Sequence, residues 1–145
     1  MRAFLDANVL FSASLFASGN ALRLIEVGRA GGCELVASPT ALREAERNLA
    51  RKAPQALDRF AGLRTAVAVV PDAPPDLLLW AEAQGLPAKD ALILAAAVQA
   101  GADLLVTGDR RHFGPLFGRS LQGVRILSLA QGLAAVLAAA ERGRH

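Results

Sequence analysis

The chain has 145 residues, enough for one domain of ordinary size, and its single cysteine, Cys33, excludes an intramolecular disulfide and a multi-cysteine zinc site. Apolar residues make up 53% of the chain, but the longest apolar runs, at 91–98 and 133–140, are far shorter than the roughly 20 residues of a membrane span. A formal net charge of +3 permits a polyanionic partner without requiring one.

The first predicted element is a short buried strand at residues 2–5, which ends abruptly at Asp6. Because Asp6 and Asn8 interrupt the apolar start, we expect no secretory signal, and we expect the protein to stay in the cytoplasm. Further strands are predicted from apolar runs bounded by turn residues, at 33–37, 65–70, 103–107 and 124–127.

Helical patterns fill the segments between these strands, at residues 9–16, 21–30, 39–52, 56–63, 76–84, 89–100 and 129–142. Ser38 can cap the third helix, and Ser128 with Gln131 can form a capping box for the last. Strands that alternate with helices imply right-handed crossovers and a mostly parallel sheet covered on both faces. We therefore predict a three-layer α/β/α sandwich with about five strands, in one domain over residues 1–145.

Carboxylates follow the ends of the predicted strands. Asp6 comes directly after the first strand, Asp109 comes after the fourth, and Asp90 opens the helix before the fourth. Glu44 and Glu46 lie in the early turns of the helix after the second strand. Each acid alone fits an ordinary turn or helix start, but in a parallel sheet all of these positions converge on one crevice.

The predicted crevice lacks an evident set of neutralising basic residues, although Lys89 and Arg110 are adjacent to it in sequence. Carboxylates that meet at one edge raise one another's pKa unless cations enter. Oxygen ligands without a set of His or Cys favour Mg²⁺ or Mn²⁺, which bind through a few carboxylates together with substrate phosphates. This chemistry predicts hydrolysis of a phosphodiester bond.

Four short motifs occur in order: LDANVL at 5–10, SPTALRE at 38–44, KDALILAAA at 89–97, and VTGD at 106–109 with HF at 112–113. Together they resemble the PIN domains and, within that family, the VapC-like toxins of bacterial toxin and antitoxin pairs. The resemblance covers nearly the whole chain. It implies a Mg²⁺-dependent endoribonuclease, usually a homodimer, that is held inactive by a cognate antitoxin inserting a segment into the acidic groove.

The resemblance also assigns site residues. The four acidic ligands and the two polar neighbours that orient ligands or water would be Asp6, Glu44, Asp90 and Asp109, with Asn8 and Thr107. Helical periodicity alone favours Glu46 as the second ligand, whereas the family's spacing from Ser38 favours Glu44, which we choose.

An arginine stripe is formed by Arg43, Arg47 and Arg51, which recur every four residues on one face of the helix that carries Glu44. This stripe either holds RNA phosphates beside the acids or keeps that face solvated. His112 falls in a predicted loop, where an exposed His is more often neither a ligand nor a base. The candidate contacts to RNA phosphates are Arg43, Arg47, Arg51, Lys89 and Arg110.

Other classes of function fit these motifs less well. A phosphoacceptor receiver domain would need an acidic pair after the first strand and a late Lys, but no Lys follows Lys89. A phosphatase of the haloacid dehalogenase type would need an acid where Asn8 stands. A scaffold that only binds RNA or protein is disfavoured because every expected acid is present, and a PIN nuclease of RNA processing without an antitoxin stays open.

Overall fold

The computed structural model describes residues 1–143, so the last two residues of the predicted domain lie outside the described part of the chain. Six strands form one sheet. They are β1 (Arg2–Leu5), β2 (Glu34–Ala37), β3 (Ala68–Val69), β4 (Leu104–Val106), β5 (Ser120–Leu121) and β6 (Val124–Leu127). The strand order is β3-β2-β1-β4-β6-β5, and every pairing is parallel except that of β5 with β6.

Eight α-helices connect or flank these strands within residues 1–143. They are α1 (Ala7–Leu15), α2 (Asn20–Val27), α3 (Pro39–Lys52), α4 (Leu57–Arg64), α5 (Pro75–Glu82), α6 (Ala88–Gln99), α7 (Arg110–Phe113) and α8 (Leu129–Arg142). The predicted caps of α3 and α8 are confirmed. The Ser38 hydroxyl accepts a hydrogen bond from the backbone N–H of Ala41, and Ser128 and Gln131 form the capping box.

The core lies on both sides of the two central strands. Phe4 and Leu5 of β1 point to opposite faces of the sheet, yet both are fully buried, as is Leu105 of β4. Helices therefore cover both faces, which confirms the predicted three-layer sandwich with a mostly parallel sheet. Among residues 1–143, no helix is both long and apolar enough to cross a membrane.

The sheet has one strand more than the sequence indicated. Gln122 and Gly123 both adopt positive φ, at 50° and 83°, and form a two-residue turn that folds β5 back antiparallel onto β6. A two-residue edge strand has too few positions to show an alternating pattern. The third strand is also shorter than predicted, because only Ala68 and Val69 pair with β2.

The strand order bears on the receiver-domain alternative. A receiver domain places its strands in the order 2-1-3-4-5, with the third strand beside the first. In this chain β3 lies outside β2, and β4 takes the position beside β1. The topology therefore excludes the receiver fold, in agreement with the sequence motifs.

Candidate active site

Asp6 stands at the carboxyl end of the central strand. Its backbone N–H continues the sheet by donating to the Val106 carbonyl at 3.1 Å, and its φ of −70° and ψ of 160° let it cap α1. Carboxylate Oδ1 accepts from the backbone N–H of Ala7 at 2.7 Å. The side chain is thus held at the top of the sheet with only 4% of the residue exposed.

A polar network joins the turn after β1 to the turn after β4. The buried Thr107 hydroxyl donates to Asp6 Oδ2 at 2.8 Å and accepts from the backbone N–H of Asp109 at 3.1 Å. The Asn8 amide oxygen accepts from the backbone N–H of Gly108 at 2.8 Å, and its Nδ2 lies 3.3 Å from Thr107 Oγ1. Asn8 and Thr107 therefore fix the relative positions of Asp6 and Asp109.

Glu44 and Glu46 have different surroundings. Glu44 is buried near the centre of α3 and forms an ion pair with the ammonium group of Lys89 on α6. Glu46 points to solvent, where its carboxylate lies 3.6 Å from the Arg64 guanidinium. The side chains of α3 that line the acidic cleft recur every four residues and are Glu44, Asn48 and Lys52.

Asp90, Asp109 and His112 form the third part of the site. Asp109 caps α7, and its Oδ1 accepts from the backbone N–H of His112 at 3.1 Å. His112 Nδ1 lies 2.9 Å from Asp109 Oδ2 and 3.2 Å from Asp90 Oδ2. One ligand atom from each of the three side chains lies within 4.8 Å of the other two.

All four acids named from the sequence line one cleft of about 260 Å³. They come from four separate segments of the chain, namely the ends of β1 and β4, the middle of α3, and the start of α6. Phe11 and Ser12 of α1 complete the wall on the side of α3. The cleft residues are therefore Asp6, Glu44, Asp90 and Asp109, together with Asn8, Asn48, Lys52 and Lys89.

The basic residues named from the sequence divide into two groups. Lys89 lines the cleft. Arg43, Arg47, Arg51 and Arg110 are exposed and lie outside its lining, although the Arg51 guanidinium reaches Asn48 at the cleft's edge, 3.4 Å from Oδ1. Lys52, one turn beyond Asn48, was not singled out in the sequence. Its position eight residues after Glu44 is the signal that could have identified it.

His112 belongs to this cluster, although the sequence motifs assigned no role to it. Its side chain is partly buried and contacts two of the predicted acids. Asp109 is the cap of α7, and His112 is the third residue of that helix. At this spacing the side chain of the third residue can contact the cap. This spacing is the only sequence signal that places His112 near Asp109. It is a weak signal, because α7 is one turn long and shows no apolar periodicity.

Burial and mutual repulsion shift the pKa values of the carboxyl groups. Burial raises the pKa of Asp6 to about 6, against the hydrogen bonds from Thr107 and Ala7, and the charges of Glu44 and Asp90 raise it further. Burial and the charge of Asp109 also raise the pKa of Asp90.

The neighbouring groups compensate part of this repulsion. Partial burial acts to raise the pKa of Asp109, but hydrogen bonds from the backbone and side chain of His112 outweigh it and lower the pKa. The hydrogen bond to Glu44 raises the pKa of Lys89. Lys89 therefore stays positively charged beside the Glu44 carboxylate. Negative charge on Asp6 and Asp90 remains unfavourable.

This set of donors fits a divalent metal ion. Carboxylate oxygens from Asp6, Asp90 and Asp109 meet in a cleft that is open to solvent, and bound positive charge would relieve their repulsion. Glu44 faces the same cleft, paired with Lys89. Oxygen donors of this kind hold a cation that also binds phosphate.

Comparison with protein families gives one match. A family model described as PIN domain matches residues 2–111, about three quarters of the chain and all four acids of the cleft. A search of curated proteins finds no match.

Solved structures with a similar fold include three with between 16% and 20% sequence identity. A chain of VapBC2 from Rickettsia felis, bound to a DNA fragment from their promoter, has a TM-score of 0.67 at 16% identity, covering 88% of this chain and 98% of its own. PAE2754 from Pyrobaculum aerophilum has a TM-score of 0.68 at 20% identity, covering 95% and 98%. A chain of VapBC-1 from nontypeable Haemophilus influenzae has a TM-score of 0.59 at 17% identity, covering 90% and 99%.

Proposed function

Because this chain belongs to the PIN-domain family, we propose that it is a metal-dependent endoribonuclease whose active site is the acidic cleft at the carboxyl edge of the sheet. The observation that carries the proposal is the convergence of Asp6, Glu44, Asp90 and Asp109, from four separate segments, on one cleft. If these side chains served only as helix caps and turn residues, they would not need to lie close together. Their proximity, together with burial, raises the pKa of Asp6 to about 6, which is unfavourable unless the cleft has a function.

In this proposal Asp6, Glu44, Asp90 and Asp109 hold Mg²⁺ or Mn²⁺. When bound, the metal supplies Lewis acidity, which favours deprotonation of a water molecule and offsets negative charge on the scissile phosphate. The Thr107 hydroxyl and the Ala7 N–H fix both oxygens of Asp6, and Asn8 fixes the turn that carries Asp109. These contacts keep the carboxylates oriented in one geometry before RNA enters.

Lys89 supplies positive charge at the same edge. Its ammonium group contacts Glu44, and 65% of the side chain is exposed, so it can also reach a phosphate oxygen of the substrate. Exposed Arg43, Arg47, Arg51 and Arg110 would hold phosphates farther from the bond that is cut.

We further propose that this nuclease is the toxin of a toxin and antitoxin pair, working in the cytoplasm as a homodimer with a cognate antitoxin as partner. Two observations support this role. The four sequence motifs resemble VapC-like toxins, and two of the structures with a similar fold are named VapBC. A PIN nuclease of RNA turnover would share the site but would not need an antitoxin.

The test of the nuclease is cleavage of single-stranded RNA with Mg²⁺, with Mn²⁺, and with EDTA. We expect cleavage with metal and none with EDTA, and Asp6→Asn should lower the rate at least about a hundredfold because it removes a charged ligand. The matched control is Asp58→Asn, which removes an exposed carboxylate on α4 that does not line the cleft. A wild type that cuts no RNA, or an Asp6→Asn variant that cuts as fast, contradicts the proposal.

The toxin role has its own test. Expression of the wild type in a bacterium should arrest growth, and expression of Asp6→Asn at an equal level should not. A small reading frame beside the gene should encode a protein that restores growth when it is co-expressed. Growth that is unaffected by an active nuclease would favour the RNA-turnover alternative.

A further inference from the structure

His112 directs one ring nitrogen at two carboxylates of the acidic cleft. Nδ1 lies 2.9 Å from Asp109 Oδ2 and 3.2 Å from Asp90 Oδ2. We propose that His112 is a nitrogen ligand of the metal held by Asp90 and Asp109, and that it makes the site select Mn²⁺ or another first-row transition metal over Mg²⁺. The inference deepens the proposed function, on which it rests for the presence of a metal.

The distances are those of neighbouring ligands around one ion. In an octahedral site with metal–ligand bonds of about 2.1 Å, adjacent ligand atoms lie about 3.0 Å apart. The two distances from Nδ1 are close to that value, and one ligand atom from each of the three side chains lies within 4.8 Å of the others. A single ion can therefore reach all three without a large movement of the backbone.

The fold holds the imidazole in this direction. Asp109 begins α7, and its Oδ1 accepts the backbone N–H of His112, so the two residues are fixed to each other by the cap. Asp90 approaches from the first turn of α6, on a different segment of the chain. A histidine on the solvent side of α7 would contact neither carboxylate, whereas this one is only 37% exposed and contacts both.

A nitrogen ligand changes which metal binds best. Mg²⁺ prefers oxygen ligands, whereas imidazole suits the first-row transition metals, whose affinity for such sites rises along the series after Mn²⁺. The sequence alone suggested a site of oxygen ligands without His. With His112 included, an imidazole nitrogen joins the carboxylates of Asp90 and Asp109 within the acidic site, and such a mixed set of ligands favours Mn²⁺ over Mg²⁺.

Another role would use the same contacts. An imidazole that only donates a hydrogen bond could orient Asp90 and Asp109 without touching the metal. The variants His112→Gln and His112→Asn separate the two roles, because the short Asn side chain places an amide N–H donor near the position of Nδ1 but offers no imidazole nitrogen. If His112 only positions the two carboxylates, His112→Asn retains that role. If His112 binds the metal through its ring nitrogen, His112→Asn loses the bond.

The experiment is pulsed electron paramagnetic resonance of the Mn²⁺-loaded protein, which detects a bonded ¹⁴N through its hyperfine coupling. The chain has two histidines, so His145→Gln is the matched control. We expect the imidazole coupling in the wild type and in His145→Gln, and its loss in both His112 variants. Calorimetry should show Mn²⁺ binding at least about tenfold weaker in His112→Gln, with Mg²⁺ binding changed much less.

The inference is overturned if the wild type binds Mn²⁺ without a nitrogen coupling, if it binds no Mn²⁺, or if the coupling persists in His112→Gln. Thermal unfolding of each variant checks that the fold is retained. The outcome is separable from that of the nuclease proposal. Nitrogen coupling without RNA cleavage supports His112 as a metal ligand and contradicts the proposed nuclease activity. RNA cleavage without nitrogen coupling supports the nuclease activity and contradicts His112 as a ligand.

Discussion

Asp6 is the most buried of the four carboxylates in the cleft, and its charge acts against the fold in the metal-free protein. Burial raises its pKa from 3.8 to about 6 even though Thr107 and Ala7 donate hydrogen bonds to it. Because the folded state binds this proton more tightly than the unfolded state does, stability from this group is fully present below about pH 4 and is lost as the pH rises through about 6. At neutral pH the ionised side chain costs the fold about 3 kcal/mol.

Replacing Asp6 by Asn should therefore stabilise the metal-free protein at neutral pH. In EDTA at pH 7.5 we expect the free energy of unfolding to rise by about 1–2 kcal/mol, since the amide carries no charge but its NH₂ group cannot accept the hydrogen bond that Thr107 or Ala7 donates to the carboxylate. The gain should shrink toward zero near pH 4, where the wild-type side chain is neutral in the folded state. Urea unfolding at several pH values measures this difference.

The control for the pH dependence is Asp58→Asn, on the exposed surface of α4. Because this carboxylate is exposed, its replacement should not raise the free energy of unfolding at pH 7.5. If Asp6→Asn is less stable than the wild type at pH 7.5, or if its advantage does not change with pH, the buried charge does not have the assigned cost.

The positions of the acids could be predicted from the sequence because they depend on one rule of parallel sheets. Asp6 and Asp109 follow strands, and the carboxyl ends of parallel strands share an edge. The side of α3 that faces the cleft could not be predicted from periodicity, which favoured Glu46, and it was the resemblance that selected Glu44. Whether His112 points inward depends on how α7 is seated, and a single helical turn gives no pattern from which to judge that.

Among the helices and strands, those with strong local signals were predicted best. The bounds of α3 and α8 agree with prediction because Ser38 and Ser128 cap them with side-chain hydrogen bonds. The edge strands β3 and β5 were predicted poorly, since two paired residues are too few to show a pattern and depend on the neighbouring strand. Weak edges of this kind are determined by tertiary contacts and not by local sequence.

The packing of α8 against the centre of the sheet depends on Gly132. A Cβ atom at this position would lie 2.7 Å from Val106 Cγ1 and 2.8 Å from its Cγ2, so a larger side chain would force the helix and strand apart. Val106 ends β4 directly before Thr107, which holds Asp6. The close approach of these elements therefore supports the edge of the sheet that carries the acidic cleft as well as the core.

Gly132→Ala should lower the free energy of unfolding by about 1–3 kcal/mol, the usual cost of overpacking a core. The matched control is Gly62→Ala on α4, where an added Cβ would meet no atom within 4 Å. Since Ala favours helix more than Gly does, the control should gain about 0.5–1 kcal/mol. Denaturant unfolding measures both variants, and a Gly132→Ala protein as stable as the wild type would contradict the close packing.

At the scale of the whole molecule, charge is unevenly distributed. Four carboxylates and two lysines line the cleft, which gives a formal charge of −2, so the rest of the chain must carry +5 to reach the total of +3. An RNA strand would be repelled by the metal-free cleft and attracted by the surface around it. In the proposed nuclease, the metal and the surrounding basic residues would therefore both be needed to bring a phosphate to the acids.

The arginine stripe, Arg43, Arg47 and Arg51, lies on the same helix as Glu44 and is exposed. If Arg43, Arg47 and Arg51 each contact a phosphate, changing all three to Gln should weaken binding of single-stranded RNA and flatten its salt dependence. The slope of log affinity against log salt should fall in magnitude by about 2, at about 0.7 per contact on a single strand. Fluorescence anisotropy with an Asp6→Asn background measures binding without cleavage.

The matched control removes the same charge elsewhere, by changing Arg23, Arg119 and Arg125 to Gln, three exposed arginines that do not line the cleft. This control should weaken binding slightly through the lower net charge, with less than half of the change in slope, because long-range attraction is screened beyond about 10 Å at moderate salt. Equal slopes for the two triple variants would mean that the stripe only keeps α3 solvated, and that RNA approaches the acids along another face.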